Sequence, residues 1–183
     1  MVHANHALLT MIKILAIPGS LRWNSSSNII LNHIVSSAPE GMLFEVYDGI
    51  GTLPHFNDPE EVPPVVIEFK QRIKKADAVL ICTPEYAFGI PGSLKNALDW
   101  TVSSGEFLNK HVGLITASSQ GEKSHAALLL VLTAISANIG EDASLLISFV
   151  RSKLDSSGKI KDEVVANDVR NVIQSLASAA RKN

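Results

Sequence analysis

Apolar residues in this chain gather into short unbroken runs, separated by segments in which they recur every three or four positions. The runs at 12–17, 42–47, 76–83, 112–117 and 143–149 read as strands. Between them, Ile30, Ile34 and Val35 mark a helix over 28–37, and Val66, Phe69 and Ile73 mark another that ends near Lys75. Further helices are expected from 91 or 92 to 102, over 124–138, and over 162–181, where Val165, Val169, Val172, Ile173, Leu176 and Ala180 share one face. Unbroken apolar strands belong to parallel sheets covered on both sides. Strict alternation of strand and helix, with right-handed crossovers, predicts an α/β fold: a doubly wound five-stranded parallel sheet with helices on both faces. Five strands suit the order 2-1-3-4-5, whose ligand crevice lies beyond the carboxyl ends of strands one, three and four. Residues 48–64, with four prolines, read as a long irregular connection.

Loops rich in polar, aromatic or small residues follow each of those three strands. The first carries Ser20, Ser25, Ser26, Ser27 and Asn28 as hydroxyl or amide groups and Arg22 as a fixed cation, ahead of a helix expected to start near Asn28. Converging donors, a cation and a helix N-terminus suit a phosphate dianion; a simple cap at Ser27 or Asn28 is the alternative. It is neither a Walker motif nor a three-glycine dinucleotide fingerprint. The second loop runs from Pro84 through Glu85, Tyr86, Ala87, Phe88 and Gly89 to Pro91. Tyr86 and Phe88 offer apolar or stacking surface, the amides from Glu85 to Gly89 offer hydrogen bonds, and the prolines stiffen the turn. The competing account is an ordinary strand-to-helix turn with its aromatics in the core. Glu85 as a general acid or base is less called for, since a hydride-accepting cofactor does not need one. The third loop, Ser118-Ser119-Gln120-Gly121-Glu122, suits either the edge of a ring system or a helix cap. Together the loops point to a phosphorylated planar cofactor, with flavin mononucleotide (FMN) the best candidate.

Composition narrows the reading only slightly. The 183 residues fit one domain over 11–183, with 1–10 expected as a disordered extension ahead of Met11. A formal charge of −2 without a basic run argues against nucleic acid, and against a strongly acidic electron carrier. The single cysteine, Cys82, is expected to be small and buried, and the six histidines show no metal-ligand spacing. No apolar run is long enough to span a bilayer, and 1–10 lacks the features of a secretory signal, so a cytoplasmic location is expected. The 124–138 helix is apolar nearly all round, through Leu128, Leu129, Leu130, Val131, Leu132 and Ile135. One face is expected against another subunit, or else against its own chain. Trp100 is expected in packing or at an interface.

Gly19-Ser20-Leu21-Arg22 with Ser26-Ser27-Asn28, and the continuous stretch from Pro84 to Trp100, resemble the two signatures of the NADPH-dependent FMN reductase family, from about Ile12 to the closing helix. The resemblance implies a flavodoxin-like fold and an oxidoreductase related to quinone, azo-dye and chromate reductases. NADPH or NADH would be co-substrate, FMN the cofactor, and the assembly a homodimer or homotetramer. It implies that Ser20, Arg22, Ser26 and Asn28 hold the FMN phosphate, that Pro84 through Gly89 contact the ribityl chain and isoalloxazine, and that Ser118, Ser119 and Gly121 lie at the other ring edge. No catalytic side chain is implied. The first loop has one extra residue, which leaves Ser25 against Ser26 open, and Ala87 stands where the family often has Asn. A flavodoxin-type carrier without pyridine-nucleotide activity is the alternative.

Overall fold

In the computed structural model, residues 11–181 are described; the extension expected at 1–10 lies outside them. Five strands, β1 (Ile12–Pro18), β2 (Met42–Val46), β3 (Ala78–Thr83), β4 (His111–Ala117) and β5 (Ser144–Ile147), form one parallel sheet in the order β2-β1-β3-β4-β5. This is the doubly wound, flavodoxin-like arrangement expected from the runs. Successive residues of β1 and β3 turn to opposite sides, and both sides are buried. Leu15, Ile17, Val79 and Ile81 pack with Phe69, Leu98, Trp100 and Leu128 on one face. Ile14, Ala16, Leu80 and Cys82 pack with Ile30, Ile34, Val172 and Leu176 on the other.

The helices are α1 (Ser26–Ser36), α2 (Pro64–Lys75), α3 (Gly92–Asp99), α4 (Glu122–Ala134), α5 (Val150–Lys153) and α6 (Glu163–Ala180). Helix α3 ends at Asp99 instead of 102, where the chain goes on in turns, and three others depart from expectation for identifiable reasons. Helix α1 starts earlier because Ser25, not Ser27 or Asn28, is its N-cap, accepting from the Asn28 N–H at 3.3 Å. Helix α4 stops at Ala134 instead of running to 138. Ser136 there takes a left-handed φ of 60°, and the Ala137 N–H reaches back to Leu132 O, a C-terminal motif made without the usual glycine. Helix α5 lies where no element was expected. The hairpin after it pairs Leu154 with Ile160 around a turn whose Asp155 carboxylate accepts from the Ser157 and Lys159 amides.

The 48–63 connection is pinned by α3. Trp100 Nε1 donates to Pro54 O at 2.8 Å, Asn96 bonds both Pro54 O and the Phe56 N–H, and Phe56 meets Trp100 edge-on. Trp100 is thus a core residue of its own chain. Helix α4 is likewise less two-faced than its composition suggests: Leu128 and Leu132 are fully buried in the core and Leu130 is the exposed leucine. His125 of the same helix sits between Thr116 and Ser144, bonded to both hydroxyls, and burial pushes its pKa below the ordinary imidazole value.

Candidate cofactor site

Register fixes where the loops emerge. Pro18 pairs with Cys82, Thr83 with Thr116, and Ala117 with Ile147, so the chain leaves β1, β3, β4 and β5 along one edge of the sheet. The first two loops nearly touch at their roots. The Gly19 N–H donates to Cys82 O at 2.8 Å, and a Cβ on Gly19 would lie 2.9 Å from the Thr83 Cα. A larger residue there would wedge β1 from β3. Beneath them, the Cys82 thiol donates to Ser27 O, and burial raises its pKa far above the ordinary thiol value. It is the inert buried cysteine expected.

A cleft of about 480 Å³ opens above this edge, walled by Arg22, Ser25 and Ser26 on one side and by Pro84, Glu85 and Tyr86 on the other. Ser118 and Ser119 close its floor. A second cavity of about 360 Å³ shares Glu85, Ser118 and Ser119 and continues to Ala87, Phe88, Gln120 and Phe149. The three loops singled out in the sequence therefore converge, and Arg22 and Tyr86 face one space.

Within that frame the expected residues divide into two groups. Ser25 is occupied as cap and by the Ser27 hydroxyl, whereas the Ser26 hydroxyl and the Ser26 and Ser27 N–H groups have no partner among the described residues. Arg22 is exposed and makes no ion pair among the described residues. These groups are unengaged donors. Asn28, expected as a direct donor, instead donates its side-chain N–H groups to Ser20 O and Arg22 O, at 3.1 and 2.9 Å. It holds the loop's shape. The Ser20 hydroxyl meets Tyr86 OH at 2.9 Å and ties the first loop to the second.

The second loop is also more self-contained than expected. Tyr86 and Gly89 exchange both backbone hydrogen bonds, and Ala87 and Phe88 between them have φ of 48° and 59°. That is a type I′ turn built from two residues that favour it poorly. The Glu85 N–H is engaged by the Ser118 hydroxyl. Of the five amides expected to be available, those of Ala87 and Phe88 remain without a partner among the described residues. Both oxygens of the Glu85 carboxylate are engaged by backbone: one accepts from the Gly121 N–H at 3.2 Å and the other from the Ser124 N–H at 2.9 Å. It caps α4 from a distance, at the positive end of the helix. Gly121, expected at the ring edge, lines neither cavity and has its N–H engaged by Glu85.

Sequence reading missed the wall contributed after β5. Val150, Arg151, Asp155, Ser156 and Gly158 all border the larger cleft, and Phe149 borders the smaller. Its one local sign was the Asp155-Ser156-Ser157-Gly158 turn.

The donor set fits a flavin mononucleotide: free N–H groups at a helix start, a hydroxyl and a guanidinium at one end, an aromatic turn at the other. Comparison with known proteins agrees. An NAD(P)H-dependent FMN reductase of Pseudomonas aeruginosa is 30% identical over 93% of this chain and 96% of its own. An NAD(P)H:quinone oxidoreductase of Solanum tuberosum is 32% identical, covering 94% of each. The solved structure of the flavoenzyme NAD(P)H:(acceptor) oxidoreductase FerB from Paracoccus denitrificans superposes with a TM-score of 0.82 at 26% identity, covering 94% of this chain and 98% of that one. The family model for NADPH-dependent FMN reductase matches residues 12–151, and the chain belongs to that family.

Proposed function

We propose that this protein oxidises NAD(P)H and reduces a small acceptor of the quinone type, with FMN held across the two cavities. The single observation that carries this is the shared cleft, with unengaged donors at the Arg22 end and the Tyr86–Phe88 turn at the other. Bound FMN supplies the capacity to accept hydride from a reduced nicotinamide and to hand electrons to a second substrate. The chain's own part is positioning and charge. Arg22, the Ser26 hydroxyl and the first amides of α1 would neutralise and orient the phosphate. Ser20 and Asn28 would support them by fixing the loop. Tyr86 would flank the cofactor, and the free Ala87 and Phe88 amides are the donors left to meet a ring edge. A pure electron carrier is not favoured, given the relatives described above.

Arg22→Ala is expected to weaken FMN binding to the apoprotein by about 1.5–3 kcal/mol, roughly tenfold to a hundredfold. Fluorescence titration reads this directly, and unchanged affinity would remove the phosphate assignment. Turnover of NADPH and NADH with a benzoquinone tests the activity.

Self-association belongs to the same proposal. Leu130 is 73% exposed on a helix where Leu128 and Leu132 are buried and Leu129 and Val131 are partly buried, which supports a subunit contact there. The wild type is expected to sediment as a dimer or tetramer and Leu130→Glu as a smaller species, while a monomeric wild type would end that part of the reading. No described helix is long and apolar enough to cross a membrane.

A further inference from the structure

Nothing in the basic residues along the sequence suggests more than one cation at the phosphate end. Folding brings a second cation to the same cleft. The segment after β5 crosses back over the start of α1, so that a Cβ on Gly158 would lie 3.0 Å from the Ile29 side chain. That crossing brings Arg151, on α5, to the cleft bordered by Arg22 and Ser26. The two guanidinium groups come from positions 129 residues apart in the chain (151 − 22).

We propose that Arg151 is a second phosphate-binding cation of this site. Three observations lead there. Arg151 is exposed, borders the cleft and makes no ion pair among the described residues. Among the described residues, the two carboxylates that share the cleft are already engaged. Glu85 accepts from the Gly121 and Ser124 amides, and Asp155 from Ser157 and Lys159 within its own turn. The cationic neighbour on the same short helix, Lys153, is bonded to Asp162 at 2.6 Å and so is held away. What remains is two guanidinium groups with no carboxylate partner. A phosphate monoester carries a charge of about −1.5 to −2 at neutral pH, which one arginine leaves partly uncompensated. Arginine also suits phosphate geometrically, presenting paired N–H groups to two oxygens.

The assignment rests on the cofactor reading above and deepens it. Two ligands of the reaction bear a phosphate monoester, FMN and the ribose 2′-phosphate of NADPH. The test separates them. Apoprotein of the wild type, Arg151→Ala and Arg151→Lys is titrated with FMN and with riboflavin, which lacks the phosphate. The ratio of kcat/KM for NADPH to that for NADH is measured on protein saturated with FMN. If Arg151 serves the cofactor, Arg151→Ala loses about tenfold or more in FMN affinity with riboflavin affinity unchanged, and lysine restores part of the loss. If it serves the co-substrate, FMN affinity stays and the NADPH:NADH ratio falls about tenfold or more. FMN affinity and that ratio both within twofold of wild type would overturn the proposal, and so would equal losses for FMN and riboflavin, the mark of a merely structural role. A wild type that binds no FMN would overturn the cofactor reading itself and this assignment with it, an outcome distinct from a wild type that binds and an Arg151→Ala variant indistinguishable from it.

Discussion

Gly19→Ala is expected to cost both stability and cofactor affinity, although the residue lines neither cavity. A Cβ at this position would meet Thr83 on three atoms, with 2.9 Å to its Cα and shorter distances to the side chain. The obstacle includes backbone, and the backbone has nowhere to retreat. Pro18 is in register with Cys82, the Gly19 N–H bonds Cys82 O, and Thr83 is itself in register with Thr116 of the next strand. Overpacking of this kind typically costs about 1–3 kcal/mol. For a chain of this size that corresponds to a fall of roughly 2–12 °C in Tm. The functional loss follows from place: the contact sits at the root of both the Arg22 and the Tyr86 loops. Spreading the roots lengthens the Ser20–Tyr86 hydroxyl contact, now 2.9 Å, and moves the donors apart from the aromatic turn. Thermal melting and FMN titration of the variant check the two effects together. A melt and an affinity both equal to wild type would mean that the two strands can separate freely at this edge.

The elements and their order were legible because they depend on local apolar spacing, which both sheet faces impose directly. The loops that form the cleft were legible for the same reason, since strand order dictates which ends converge. What escaped the sequence was set by partners distant along the chain. Asn28 has the chemistry of a phosphate donor, and only the fold shows its amide turned onto Ser20 O and Arg22 O. Leu128 and Leu130 are identical as residues, yet one is core and the other solvent-facing, a difference set by where α4 seats on the sheet. The end of α4 was hidden because a serine, Ser136, adopts the left-handed conformation that a glycine would have announced. Helix α5 is four residues long, too short for any periodicity to register, and so the wall bearing Arg151 left no sign but the turn at Asp155–Gly158.

Glu85→Gln separates structural from chemical use of the one acidic side chain among the described residues that borders both cavities. If Glu85 moved a proton in turnover, the amide would abolish kcat and leave the fold intact. Its hydrogen bonds predict the opposite. The carboxylate joins two loops by accepting from the Gly121 and Ser124 amides at the start of α4, while its own N–H is held by the Ser118 hydroxyl. Glutamine keeps one acceptor oxygen, loses the negative charge facing the positive helix end, and turns an NH₂ group toward one of the two backbone donors. Losing one charge-assisted bond and leaving one amide unpaired costs about 1–3 kcal/mol. The expected result is a lower Tm and weaker FMN binding, because the Tyr86 turn loses its tether to the third loop. In FMN-saturated protein, kcat is expected to stay within a few-fold of wild type. Glu85→Ala should lower Tm further, since it removes both acceptors. A Glu85→Gln variant with wild-type melting and FMN affinity but kcat reduced by orders of magnitude would show that the carboxylate leaves α4 during turnover and acts on the substrate.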